Sequence, residues 1–581
     1  MTRCFRAARD IVIVGTPRDA TVRAAAWNGT KAASYFLRCE RPHSRGRNRP
    51  FAAGAAPGVL TVRSYGHPNG AIANWLPAPK TAIIRKMSDE IELKFQIPPS
   101  RLPSLRRAVT TAMARIENLS AVYVDTQHEH LAKAGLSMRL RGTGPTGQKV
   151  WVQTLKARGG SSIKRIEHNV PLGGPGHPVL DPRRHDGTEA GAVLEKTLAA
   201  AGDAVLIERF FIEVKRTLRL LRKDGSLIEI ALDEGGITAG DGILRVCEIE
   251  FELVHGSPST LLKVAQRWMG RFGLLLDTRS KSDRGYRLAI GKTTVRPAKA
   301  RPVHLLPQGT PQESFAVMLN NTLSQILPNA SQIQDGHFEP EHLHELRVGL
   351  RRLRTVLRLY GTLSQQLPEN VEHDVAELFR KSGTARDLDA MAETLWPALR
   401  AANAPLVEIP SPVSTPTQSD LPTLLRAPAI QSLWLALLGA AHPQDEPQEP
   451  FDNLREVLAS PLRKLEKKIR RDDARFATLG DEKRHQLRKR IKTLRYAAEL
   501  VGSLWPQRPV QKFLRRLQKA QTPLGQLNDA VVALELYRNL ARQDPRAWFA
   551  AGWLAARKEA LLAPCNKIFA DLASRRGFWR E

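Results

Sequence analysis

The stretch Glu90-Ile91-Glu92-Leu93-Lys94-Phe95 alternates charged and apolar residues without a break. Side chains of a strand point to opposite faces in turn, so Glu90, Glu92 and Lys94 share one face and Ile91, Leu93 and Phe95 the other. The pattern recurs: Arg139 and Arg141 in 138–141, Arg165 and Glu167 in 164–170, Glu229 and Asp233 in 227–233, and Glu248, Glu250 and Glu252 in 247–253. Half-solvated antiparallel strands with cross-strand ion pairs would account for any one of these segments. Their recurrence shifts the balance toward a second arrangement, a closed barrel whose charged faces would point inward. Enclosed acids then need a metal ion or cations, and enclosed Lys and Arg need an anion, because an unpaired buried charge is strongly destabilising. Glutamates that hold Mg²⁺ beside Lys and Arg suit a phosphate chain.

Composition sets the frame around this segment. The 581 residues include 88 Lys and Arg against 58 Asp and Glu, a net charge of +30, and 42% hydrophobic residues. So long and apolar a chain is no disordered basic tail, and its length predicts about three to four folding units. Such a basic balance calls for a polyanionic partner. Residues 1–86 hold 15 Lys and Arg but only 3 Asp and Glu. They are rich in Arg, Gly, Pro and Ala, lack periodicity, and read as a disordered leader or a misplaced start ahead of Met87. Cys4, Cys39, Cys247 and Cys565 form no CxxC pair, which predicts a reducing, cytoplasmic setting. The apolar run Leu433 to Ala441 is far below the ~20 residues that cross a bilayer, so no membrane insertion is expected.

Prolines 297, 302, 307 and 311 mark a linker at 295–311, dividing a strand-rich region at 87–294 from a helical one at 312–575. In the latter, His344, Arg347, Arg351, Arg354 and Arg358 are spaced three, four, three and four, forming one helical stripe beside Leu346, Leu350, Leu353 and Leu357. His485, Arg488, Lys492 and Arg495 repeat the design. His344 to His485, Arg347 to Arg488, Arg351 to Lys492 and Arg354 to Arg495 are each 141 apart, the mark of an internal duplication. Like charges at helical spacing cost ~0.2–0.5 kcal/mol per contact, so a stripe built twice is better explained by an anion that offsets it, with Asp387, Asp389 and Asp529 open to neutralise part of the charge or to orient the side chains.

The ordered series Glu90-x-Glu92-x-Lys94, Tyr123-x-Asp125-Thr126, Gly135-Leu136-x-x-Arg139-x-Arg141, Trp151-x-Gln153-Thr154-Leu155-Lys156, Arg165-x-Glu167, Ala231-Leu232-Asp233-x-Gly235 and Cys247-Glu248-Ile249-Glu250-Phe251-Glu252-Leu253 resembles the CYTH superfamily over about 87–290. The resemblance implies an antiparallel tunnel barrel that acts on triphosphate compounds with Mg²⁺ or Mn²⁺. It implies catalytic roles for Glu90, Glu92 and Lys94, metal ligation by Glu90, Glu92, Glu248 and Glu250, and phosphate contacts from Arg139, Arg141, Lys156 and Arg165. Asp233 and Glu252 are further candidate ligands.

The two basic helices, with Arg386-Asp387-Leu388-Asp389 and Leu527-Asn528-Asp529, look like a CHAD domain over about 312–575. That resemblance implies an all-α domain of two related four-helix bundles that binds inorganic polyphosphate through both stripes. The fold class expected is therefore α+β multidomain. The arrangement resembles bacterial CYTH-CHAD inorganic triphosphatases, which implies hydrolysis of inorganic triphosphate and association with polyphosphate granules. Two alternatives stay open: a CYTH enzyme acting on organic triphosphates (adenylate cyclase, nucleoside or thiamine triphosphatase), and a non-catalytic granule adaptor. A nucleic-acid partner is not expected, since few aromatic residues interleave with the basic ones. Gly285 to Gly291-Lys292-Thr293 has one residue too many for a P-loop, and His128-Glu129-His130 has the wrong spacing for a zinc-protease helix.

Overall fold

The computed structural model describes residues 24–26, 33–35, 90–144, 148–158, 164–173, 178–202, 204–364, 367–383, 395–408, 420–442, 453–473, 475–573 and 576–580. The chain divides into compact units at Met1–Ile83 and Ile84–Glu581. In the first, β1 (Ala24–Ala26) pairs antiparallel with β2 (Ala33–Tyr35). The rest of the expected leader lies outside the described residues, as do Arg386–Asp389.

The second unit opens with an antiparallel sheet of β3 (Glu90–Gln96), β4 (Arg115–Thr126), β5 (Leu136–Thr143), β6 (Val150–Arg158), β7 (Lys164–Leu172), β8 (Leu206–Lys223), β9 (Ser226–Ala239), β10 (Gly242–His255) and β11 (Leu275–Leu276). Its order is β10-β9-β8-β4-β5-β6-β7-β3-β11, and β10 also pairs with β3. That pairing closes the sheet into a barrel, so no long edge stays open.

Alternation along the strands shows which face is which. On β5, Leu136, Met138 and Leu140 are buried while Ser137, Arg139 and Arg141 are half-buried. Leu136 and Met138 join Leu131, Ala190 and Leu194 in a cluster that lies over the barrel's outside, where α1 (His130–Ala134) and α2 (Glu189–Ala201) pack. Leu93, Phe95, Ile249 and Phe251 likewise pack outward onto α3 (Pro258–Phe272). The apolar faces are the outer ones, and the charged faces line the lumen.

One end of the lumen is apolar. Tyr123 stacks on Phe210 at 4.6 Å between centroids, and Tyr286 meets Phe210 edge-on at 5.0 Å. Tyr286 belongs to α4 (Lys281–Leu288), begun by a capping box between Ser280 and Asp283. A Cβ at Gly285 would stand 2.3 Å from the Phe210 ring, so only glycine lets this helix sit against the barrel end. Gly285 is thus helical, and Gly291 (φ +69°) turns the chain after the helix.

The remaining chain is helical: α5 (Pro311–Gln334), α6 (Pro340–Tyr360), α7 (Val371–Lys381), α8 (Trp396–Ala401), α9 (Leu421–Arg426), α10 (Pro428–Ala440), α11 (Leu454–Asp473), α12 (Asp481–Val501), α13 (Gln507–Leu540) and α14 (Ala547–Ala573). α6 and α12 start and end 141 residues apart (340 to 481, 360 to 501), and each runs into a 3₁₀ turn, Gly361–Leu363 and Gly502–Leu504. The duplication is therefore structural as well as sequential. The run Leu433–Ala441 falls in and just after α10, mostly buried, and none of the described helices is long and apolar enough to cross a membrane. One hydrophobic cluster runs from Phe95 and Phe251 on the barrel through Leu261 to Phe315, Leu346 and Trp434 of the helices.

Phe251 is fully buried in this shared core, edge-on to Phe95 at 5.7 Å and to Trp268 at 5.6 Å. Phe251→Ala should lower unfolding stability by ~3–5 kcal/mol through lost burial and the cavity left behind. Urea titration followed by circular dichroism checks this, and a midpoint equal to wild type would show that the cluster does not bear on stability.

Candidate active site

Strand register gathers the charges. Glu248 on β10 pairs with Gln96 on β3 and Asp233 on β9, and Asp233 pairs with Arg216 on β8. One step along, Glu250 faces Lys94, and beyond it Glu252 lies between Glu92 and Glu229. The Arg216 guanidinium forks onto Asp233, with Nε and one terminal nitrogen each donating at 2.6 Å, and also reaches Glu250 at 2.7 Å. From α4, Lys281 Nζ touches all three acids: Asp233 at 2.7 Å, Glu250 at 2.8 Å, and Glu248. Arg284, three residues on and so on the same helix face, also pairs with Glu248. Lys94 Nζ lies 3.6 Å from Glu248 and donates to the Arg279 carbonyl.

Glu248, Asp233 and Lys281 keep their charges despite burial. Burial by itself would raise the Glu248 carboxyl, but Arg284, Lys281 and Lys94 outweigh it and hold the group well below the usual carboxylate range. Burial acts the same way on Asp233, and Lys281 with Arg216 brings it down to about 2. Lys281 is desolvated too, yet Asp233, Glu248 and Glu250 hold its pKa above that of a free lysine. Lys94 goes the other way: burial lowers it more than Glu248 raises it.

Across the lumen stands a basic wall. Arg139 donates to the Tyr123 hydroxyl at 2.8 Å and lies 3.9 Å from Glu167, while Lys156 pairs with Glu167 at 2.5 Å. Arg141, next on the same face, makes no hydrogen bond to a described residue. Burial, and then the charge of Arg139, push it down to about 10. Glu90 and Arg165 pair in backbone register, with Glu90 opening β3.

Asp233, Glu248 and Glu250 offer oxygens that lie within 4.8 Å of one another. Three hard carboxylate donors suit a divalent cation such as Mg²⁺ or Mn²⁺. The row Glu92, Glu252 and Glu229 adjoins this cluster along the strands. Of the expected ligands, Glu248 and Glu250 thus share a cluster while Glu92 stands in the adjoining row. Asp233, a further candidate in the sequence, belongs to the same cluster. Arg216, Lys281, Arg284, Asp277 and Arg279 were not anticipated. A period-two search misses Lys281 and Arg284, which lie on a helix. The Ser280–Asp283 cap followed by cations three residues apart was the available signal.

The helical region holds a second basic site. Arg347, Arg351 and Arg354 on α6 surround the Phe379 ring of α7 at 4.6, 5.8 and 5.5 Å. Such contacts orient guanidinium groups over an aromatic face. Arg347 is buried and also donates to the Phe379 carbonyl at 3.1 Å, so it is partly a packing residue. α6 and α12 bring the two stripes together: burial, with Arg488 and Arg351 next, pushes the Lys492 ammonium down to about 7. Arg488 lies 3.8 Å from Asp529, Arg495 pairs with Glu499 at 2.9 Å, and His485 bonds Asn528. Arg358, at the far end of the stripe, is exposed and paired with Glu372. His344 is half-buried on the same helix. Arg351 and Lys492 make no hydrogen bond from their side chains to a described residue, so among the described residues the cleft between α6 and α12 carries cations that no acid pairs.

The barrel and the cleft together define a two-domain class. The CYTH domain model matches residues 88–286 and the CHAD domain model residues 317–538, so the chain carries a CYTH domain followed by a CHAD domain. It is 29% identical over 208 residues to the inorganic triphosphatase of Haemophilus influenzae, a match over 35% of this chain and 55% of that protein. The chain thus spans about half the length of that curated relative. The CHAD domain of the plant Ricinus communis is 27% identical, with a TM-score of 0.40 over 48% of this chain and 98% of that one. A Hippeastrum protein whose structure is described as revealing a dominant triphosphatase activity is 17% identical, with a TM-score of 0.25 over 35% of this chain and 96% of that one.

Lys281 is the shared counter-ion of three carboxylates, so Lys281→Met should destabilise the metal-free protein by roughly 3–5 kcal/mol. Millimolar Mn²⁺ should then raise the melting temperature of the variant more than that of wild type. An equal response of the two in a thermal-shift assay would show that the three acids do not form a cation site.

Proposed function

We propose that the barrel hydrolyses inorganic triphosphate with Mg²⁺ or Mn²⁺, and that the helical cleft binds inorganic polyphosphate. The observation that carries this reading is the facing of two walls: clustered carboxylates on one side, and on the other half-buried Arg141, whose guanidinium makes no hydrogen bond to a described residue. In this reading the phosphate chain lies along Arg139, Arg141, Lys156, Arg165 and Lys94, whose charge stabilises the negative charge developing on the bridging oxygen as it leaves. Glu90, Glu92, Glu248 and Glu250 would hold the divalent ion, which when bound polarises the phosphoryl oxygens. A carboxylate not engaged in that task orients a water molecule for in-line attack on the terminal phosphorus. Water adds there, the bridging P–O bond breaks, and orthophosphate and pyrophosphate leave. The family of the barrel and its relationship to an inorganic triphosphatase support a triphosphatase. The division into 87–294, a linker at 295–311 and 312–575 belongs to the same proposal.

Phosphate release from tripolyphosphate, ATP and long-chain polyphosphate, each with Mg²⁺, Mn²⁺ or EDTA, tests the first part. Tripolyphosphate should be the preferred substrate, turnover should need metal, and Glu90→Ala with Glu92→Ala should cost at least ~10²-fold in kcat. Full turnover in that double variant sinks the assigned site. Preference for ATP would favour the organic-triphosphate reading, and binding without turnover the adaptor reading.

For the cleft, Lys492 is protonated below about pH 7 and neutral above it. Protonation adds a cation, so polyphosphate affinity should fall as pH rises from 6 to 8. Lys492→Arg, which keeps its charge, should flatten that fall, and Arg351→Gln with Arg488→Gln should weaken binding at every pH. Titration calorimetry at fixed ionic strength checks both, and affinity untouched by these substitutions places polyphosphate elsewhere.

A further inference from the structure

The segment 275–281 supplies the lumen with the acceptor for Lys94, and with Lys281 itself, yet much of what holds it in place belongs to the helical region. The Leu276 amide donates to Gln431 of α10 at 2.7 Å, and the Leu276 carbonyl accepts from Gln334 of α5 at 2.7 Å. The Thr278 amide donates to Ser331 of α5 at 3.2 Å. Arg279 is the centre of this stitching. Its guanidinium forks onto Asp277, Nε at 3.0 Å and one terminal nitrogen at 2.9 Å, while the other terminal nitrogen donates to Gln332 at 3.2 Å and to Asp335 at 3.0 Å, at the end of α5. The main chain of the same residue accepts from Lys94 Nζ, and the Asp277 amide donates to the Lys94 carbonyl at 2.8 Å. Gln96, two residues along β3, donates to Asp277 at 2.9 Å and to Asp335 at 3.4 Å.

We propose that Asp335, on the helical region, is a positioning residue of the barrel site: by holding Arg279 and Gln96 it fixes the Arg279 carbonyl against Lys94 and sets where Lys281 enters the lumen. The inference rests on the reading of Lys94 as a phosphate contact in a triphosphatase. Arg279 and Asp277 are almost wholly buried, so their ion pair is a rigid element that transmits a push, whereas Asp335 is 42% exposed. Asp335 is therefore the end of the relay that can be cut without opening a hole in the core. It is a lever on geometry rather than a participant in the chemistry. Displacement of Lys94 matters, since misplacement of a reacting group by about 1 Å can cost ~10²-fold in rate. It follows that the barrel site is completed by a residue beyond the barrel itself.

The test uses the full-length chain with Asp335→Ala, Asp335→Asn and, as a control, Glu369→Gln at an exposed position outside the relay. Tripolyphosphate turnover should fall about tenfold in kcat for the alanine variant with a smaller change in KM, less for asparagine, which keeps one acceptor oxygen, and not at all for the control. Amide hydrogen exchange of a peptide covering 276–284 should quicken in Asp335→Ala while strands β8 to β10 keep their protection. Wild-type kcat in Asp335→Ala, or unchanged exchange in that peptide, overturns the proposal. Loss of protection throughout the barrel also overturns it, by showing Asp335 to be a general structural support. If the wild-type chain turns over no tripolyphosphate at all, the function reading has failed. The exchange experiment then still decides whether Asp335 holds the segment.

Discussion

The structure depends on a charge placed where charge is costly. Asp233, Glu248 and Glu250 stand side by side inside a closed sheet, and Lys281 Nζ touches all three. Desolvating three carboxylates is tolerable only with cations at contact distance, and Arg216, Arg284 and Lys94 complete the set. Each supporting element serves this arrangement. Closure of β10 onto β3 excludes water, Gly285 lets α4 approach the barrel end, and the outward apolar faces give the barrel its covering of helices.

A lumen built this way is poised rather than inert. The acidic side already has its counter-ions, while the opposite wall holds more cations than its one described acid, Glu167, can match. An anion brought there meets guanidinium groups that need no reorganisation, which is what makes preorganised charge effective. The helical cleft repeats the logic by other means. It is made from two copies of one helix whose stripes meet, so that Lys492 feels Arg351 of the other copy and sits near the edge of deprotonation. A long polyanion bound there, as proposed, would relieve the repulsion that the duplication created.

Much of this was legible from alternation and spacing. Period two in 90–95 and 247–253 placed charged residues on one face, and register then set Glu250 beside Lys94. The 141-residue repeat announced two equivalent helices, and they proved equal in length. Lys281, Arg284 and Arg279 were not legible, because they sit on a helix and on the extended segment before it. They join the site only when the chain folds back over the barrel. Arg216 escaped notice because β8 breaks strict alternation around it, with charges at Lys215, Arg216 and Arg219.

Local pattern, then, was sufficient for the elements: a strand's alternation and a helix's stripe are properties of a few consecutive residues, whatever surrounds them. It could not say whether the charged faces look outward to water or inward to a lumen, since both obey the same period. Closure of the sheet decided that, because the apolar faces had helices to bury against and the charged faces had one another. The joining of α5 to the segment 275–281 is of the same kind. Asp335 lies 56 residues from Arg279 and shares no pattern with it. Only packing of the helical region against the barrel brings an acid to that guanidinium, and with it a second region's hold on the first region's site.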